Sequence, residues 1–71
     1  MNTKTQITIV EFADESNQMR FYEATTATPL EALKRYLSDH NIEYENDDIQ
    51  VDNGGYWIDD VAQAYITYIE N

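Results

Sequence analysis

Between Tyr36 and Asn71 there is no lysine and no arginine, although nine carboxylates fall there: Asp39, Glu43, Glu45, Asp47, Asp48, Asp52, Asp59, Asp60 and Glu70. Cysteine is absent from the whole chain, which excludes a disulfide framework and a thiolate nucleophile. One histidine and no cysteine leave almost nothing from which to build a zinc site. Only two glycines and one proline occur, against 42% apolar and 13% aromatic residues, which is not the composition of a disordered acidic tail. No long apolar run is present, and the opening MNTKTQITIVEF has a single lysine, so neither a membrane anchor nor a signal peptide is expected.

What is there is charge of one sign, unevenly placed. The first 35 residues carry five acids against four bases, so the second half supplies −9 of the net −10. Such a field attracts cationic partners and repels nucleic acid and anionic membrane. At 71 residues the expectation is one compact acidic domain spanning 1–71, burying about 60% of its unfolded surface, with a stability margin of a few kcal/mol that self-repulsion reduces.

The chain reads as ββαβββ, an α+β domain with one helix packed on an antiparallel sheet. Thr5–Phe12 is rich in β-branched residues and apolar on both faces, Ile7 and Ile9 on one and Val10 and Phe12 on the other, as an interior strand would be. A polar turn over 13–17 leads into a second strand, Gln18–Ala24, completing a hairpin. Thr28, Pro29 and Glu31 then combine an N-cap, a proline at the first helical position and a capping box. Leu30, Leu33 and Leu37 give that helix its buried stripe with Tyr36 beside it, Glu31 can pair with Lys34 and Arg35, and the helix should end near His40 and Asn41. A strand at Ile49–Val51, a turn over Asp52-Asn53-Gly54-Gly55 and a strand at Tyr56–Ile58 form a second hairpin. Val61–Ile69 reads as strand by composition, though Asp60 with Gln63 would also cap a helix.

Chemistry of catalysis is scarce. His40 at a helix C-terminus suits a structural role, Ser16 and Ser38 lack a nucleophile setting, and close acid pairs arise by chance among fourteen carboxylates, so no catalytic residue and no cofactor is expected. The run beginning at Asp48 places its glycine one position late for an EF-hand, so no metal site is expected either.

The acids themselves are the candidate site. If 43–48 is extended, Glu43, Glu45 and Asp47 point to one side about 6.6 Å apart, approximating the charge spacing of a nucleic-acid backbone. Asp48, Asp52, Asp59 and Asp60 would extend that surface. The same charges equally suit a solvated face that keeps a small domain soluble. Tyr44 and Tyr56, beside turns and acids, are candidate surface anchors, while Trp57, Tyr65 and Tyr68 are expected to pack under the helix.

In its size, its one-sided acidity and its hairpin entering a capped helix (FYEATTATPLEALKRYL), the chain resembles small acidic proteins of phages and mobile elements. These include DNA-mimicking anti-restriction proteins, uracil-DNA glycosylase inhibitors and anti-CRISPR proteins. The resemblance implies a non-enzymatic inhibitor, with anti-CRISPR activity the leading guess, acting in the cytoplasm of a bacterial host as a monomer or homodimer. Its partner would be a Lys/Arg-rich nucleic-acid-binding protein or complex, with no direct contact to nucleic acid or membrane. The alternative is an antitoxin-like or regulatory module that binds through a strand edge and tyrosines.

Because repulsion among surface charges is screened by salt, the melting temperature should rise between about 10 mM and about 500 mM NaCl. A melting temperature that falls over this range, followed by circular dichroism, would contradict a self-repelling surface.

Overall fold

The computed structural model describes residues 4–70. It contains β1 (Lys4–Ala13), β2 (Met19–Thr25), α1 (Pro29–Asp39), a 3-10 turn (Asn46–Asp48), β3 (Gln50–Asp52), β4 (Gly55–Ile58) and β5 (Ala62–Glu70). All strands join one antiparallel sheet in the order β2-β1-β5-β4-β3, so the first and last strands lie side by side at its centre. The expected α+β architecture is thus observed, and the Val61–Ile69 ambiguity resolves as strand.

Each connection has a local cause. In the β1–β2 turn, Asp14 Oδ1 accepts from the amides of Ser16 (2.8 Å) and Gln18 (3.0 Å), and Asn17 takes a left-handed φ of 61°. Asn53 and Gly54 turn the β3–β4 hairpin with φ of 45° and 81°, the two positive values that a tight hairpin of this hand requires. The helix starts where its sequence says: Thr28 Oγ1 accepts from the amide of Glu31 at 3.3 Å, and Pro29 occupies the first turn. It ends at His40, after which Asn41 adopts φ 55°. His40 Nδ1 lies 2.9 Å from the Tyr36 carbonyl, which can only accept, so this nitrogen carries the proton.

The core sits between α1 and one face of the sheet. Ala32, Leu33, Tyr36 and Leu37 of the helix meet Val10 of β1 and Ala62 and Ala64 of β5. Leu30, expected in the buried stripe, is only half-buried, and Ala32 takes the interior position. Because Ala62 and Ala64 are small, the helix can sit close over β5. The buried Thr8 hydroxyl is satisfied by the Ala27 carbonyl at 2.6 Å.

Strand alternation assigns the remaining side chains. Ala62 and Ala64 face the helix, so Gln63 and Tyr65 face away from it; their partners on β4 make Trp57 and Gly55 face away as well. Trp57 and Tyr65 therefore do not pack under the helix, contrary to the sequence-based expectation, and Tyr68 is exposed. A bulge in β2 opposite Val10 and Glu11 leaves Tyr22 unpaired. Tyr22 and Glu23 both reach the helix: Tyr22 meets the Tyr36 ring edge-on at 4.9 Å, and Glu23 pairs with Arg35 at 3.0 Å. Arg35 thus pairs across to the sheet, and neither Lys34 nor Arg35 pairs with Glu31 among the described residues.

Leu33 is fully buried at the centre of this interface. Leu33→Ala should destabilise the protein by about 3 kcal/mol, a large share of what a domain this small can hold. Urea unfolding read by circular dichroism measures it; a loss under about 1 kcal/mol would mean that the helix contributes less to the core than its burial indicates.

Candidate functional site

The acidic segment after the helix does not adopt the expected form. Residues 42–45 are irregular and Asn46–Asp48 form a 3-10 turn, so Glu43, Glu45 and Asp47 do not line one side of an extended strand. The cause is local hydrogen bonding. Asp48 Oδ2 accepts from the Glu45 amide at 2.9 Å while the Asp48 amide donates to the Glu45 carbonyl at 2.9 Å, closing the chain into a turn. Ile42, Glu43, Tyr44, Glu45 and Asp48 surround an open depression beside this turn.

The nine candidate residues separate into distinct places. Glu43, Glu45, Asp47 and Asp48 are exposed on the segment that leads into β3. Asp59 belongs near the same end of the β3–β4 hairpin, since its carboxylate accepts from Gln50 Nε2 at 2.8 Å and Trp57 Nε1 at 3.1 Å. Asp60 occupies the neighbouring turn with φ 63°. Asp52 lies at the other end of the hairpin, opposite Gly55 and about 13 Å of strand away from Asp59. Tyr44 and Tyr56 are half-buried and packed against the core, so their rings contribute stability. The most exposed tyrosine is Tyr68, and Tyr22 follows it.

Pairing of charges is sparse. Among the described residues there are two ion pairs, Arg20–Asp14 at 2.7 Å and Arg35–Glu23 at 3.0 Å, so twelve of the fourteen carboxylates have no Lys or Arg partner. Asp14 is held below the ordinary carboxyl range, first by the Gln18 amide and then by the Arg20 guanidinium. Its folded form favours the charged state, so this contribution is present above the usual carboxyl range and is lost as pH falls through it. Space also alters the charge pattern seen along the chain. Lys34, from the first half, lines a shallow groove with Asn46, Ile49 and Val51, placing a cation beside the acidic segment.

The face of the sheet turned away from α1 was not foreseen. Its β1 and β5 positions include Ile7, Ile9, Glu11, Gln63 and Tyr65, with Trp57 on β4. Glu11 accepts from Gln63 Nε2 at 2.6 Å. Partial burial raises the Tyr65 hydroxyl above its usual pKa, and the Glu11 carboxylate adds charge and a hydrogen bond in the same direction. The alternation of Ala62 and Ala64 with Gln63 and Tyr65 was the available signal for this face. No three His, Asp or Glu side chains converge to hold a metal ion among the described residues, and no helix is long and apolar enough to cross a membrane. Compared with protein-family models, curated proteins and solved structures, the chain matches none.

Asp47 and Asp48 are neighbours with different jobs. Asp48→Ala should cost about 1 kcal/mol, in the range of a lost N-cap, because the Glu45 amide loses its acceptor. Asp47→Ala removes an unpaired like charge and should leave stability level or raise it by up to about 0.5 kcal/mol. Equal urea midpoints for the two variants would remove the distinction.

Proposed function

We propose that this protein is a non-enzymatic inhibitor whose acidic surface occupies the nucleic-acid-binding site of a basic protein or complex, in the manner of DNA-mimic or anti-CRISPR proteins. The observation that carries the reading is the state of the second-half carboxylates. All nine are exposed, and none is neutralised by a Lys or Arg among the described residues. An ordinary soluble surface intersperses both signs. Here the repulsion is left standing on a folded scaffold, and a cationic groove would relieve it. The 3-10 turn sets the backbone at Asp47 and Asp48, and the Glu45 amide holds the Asp48 carboxylate, which lowers the ordering needed on binding.

A module that binds through a strand edge has one observation in its favour. β2 is an edge strand carrying exposed Phe21 and Tyr22. Its bulge interrupts the row of backbone groups that an added strand would need, so the acidic surface remains the stronger reading.

The test is capture on the immobilised chain from a lysate of the source organism, followed by salt elution. The captured partner should be a basic nucleic-acid-binding protein that leaves with rising salt and is displaced by DNA or RNA. Combined Glu43→Gln, Glu45→Gln and Asp47→Asn should weaken its binding by about tenfold or more. Unchanged affinity in that folded variant, or binding indifferent to competing nucleic acid, would sink the reading.

A further inference from the structure

The first strand is apolar on both faces, but the protein covers only one of them. Thr8 and Val10 are buried under α1, whereas Ile7 and Ile9, at the centre of the same sheet, remain partly open to water. Nearby on this face, Phe21 is 62% exposed and Met19 42%. A sheet with one bare apolar face is half of a two-layer arrangement.

Charge identifies what can complete it. Lys4 and Arg20 occupy strand positions of the opposite parity, paired with Glu70 and Phe12, and Lys34 and Arg35 belong to the helix. The bare face therefore carries no cation, while Glu11 and Asp52 lie on it and Asp59 grips two of its side chains. A second copy docked here would set these carboxylates against their own images with nothing to offset them. An anionic lipid surface would be repelled in the same way.

One spot on this face is shaped for a side chain. Gly55 has no side chain to fill its position opposite Tyr65, leaving a hollow of about 260 Å³ lined by Trp57, Tyr65 and Gln63, with Asp52 among its lining residues. Aromatic walls and a carboxylate suit a guanidinium, which stacks on rings and offers paired donors to an acid. Lysine, a compact and strongly hydrated charge, would use the rings less well.

We propose that the helix-free face is the docking surface for a basic protein, and that the hollow over Gly55 receives one of that partner's arginine side chains. The assignment rests on the reading of a basic partner given above and adds to it a surface distinct from the Glu43–Asp48 segment.

The chain's single tryptophan lies at the hollow, so its fluorescence reports occupancy directly. The probes are blocked tripeptides, acetyl-Leu-Arg-Leu-amide and its citrulline counterpart, which keeps the shape and loses the charge. The arginine peptide should change Trp57 emission saturably at millimolar concentration, and the citrulline peptide should bind about fivefold or more weakly. Amide shifts in a ¹⁵N spectrum should centre on Gly55, Trp57, Gln63 and Tyr65. Gly55→Val fills the hollow and should reduce binding by about fivefold or more. The strand tolerates an added Cβ here, since its nearest neighbour would be Tyr65 Cβ at 3.4 Å. A preserved ¹⁵N spectrum checks the fold, and Asp52→Asn, which removes only an exposed charge at the hollow, is a second variant that should weaken binding of the arginine peptide.

Equal binding of the two peptides, or none by about 20 mM, would overturn the assignment. So would shifts centred on Glu43–Asp48, or dimerisation that buries this face in sedimentation experiments. The neutralised Glu43, Glu45 and Asp47 variant should still take the arginine peptide. Absence of salt-sensitive capture by the unaltered chain, with peptide binding intact, would therefore count against the inhibitor reading alone, and salt-sensitive capture without peptide binding against the hollow alone.

Discussion

The antiparallel pairing of β1 with β5 is the constraint on which the rest of this structure depends. It runs from Lys4–Glu70 to Phe12–Ala62 and brings the first and last strands together at the sheet's centre. Both hairpins are then attached to it from outside, β2 on one flank and β4–β3 on the other. Its register decides which side chains enter the core. Val10 is paired with Ala64, and Ala64 with Tyr56, so the small residues of β5 lie beneath α1 while Gln63 and Tyr65 point outward. A slip of one residue would send Tyr65 into the helix interface and Ala64 into solvent, exchanging a close-packed layer for a clash.

Local signals were legible in the sequence and long-range ones were not. Thr28 with Pro29 marks the helix start, and Asn53-Gly54 marks the hairpin, because each acts through backbone groups a few residues away. The β-branched run before Glu70 outweighed the competing cap at Asp60, and the strand formed. The faces taken by Trp57, Tyr65 and Tyr68 depend instead on pairing with residues up to 62 positions away (Tyr68 with Gln6), which the bulk of the rings does not reveal. The Glu43–Asp48 segment departs from an extended form for a different reason. Its alternating acids suggest an extended chain, but an aspartate three residues from a free amide closes a turn at little cost. The bulge at Tyr22 likewise redirects Glu23 toward Arg35, replacing the expected pairing along the helix.

The charge pattern changes meaning once it is folded. Along the chain, all four bases lie in the first half while nine of the fourteen acids lie in the second; in space, Lys34 returns to the edge of the acidic segment. The region without any cation is instead the outer face of the sheet, which draws residues from both halves of the chain. Sequence asymmetry therefore indicated that such a surface exists and misplaced part of it.

Acidity and bare apolar surface on one small molecule support each other physically. Apolar area without charge would drive self-association, and charge without apolar area would give binding that salt screens away. Together they permit contact with a cationic partner and oppose contact with a second copy, because the same carboxylates attract one and repel the other. The two terms also divide the kinetics. In the proposed complex, the net charge of −10 would speed encounter with a basic surface from a distance, and burial of Ile7, Ile9 and Phe21 would slow departure after contact. A half-covered sheet in a 71-residue chain is costly to stability if it stays bare. It would become an advantage if the proposed partner covered it, since the apolar area left over from folding would then be available for binding.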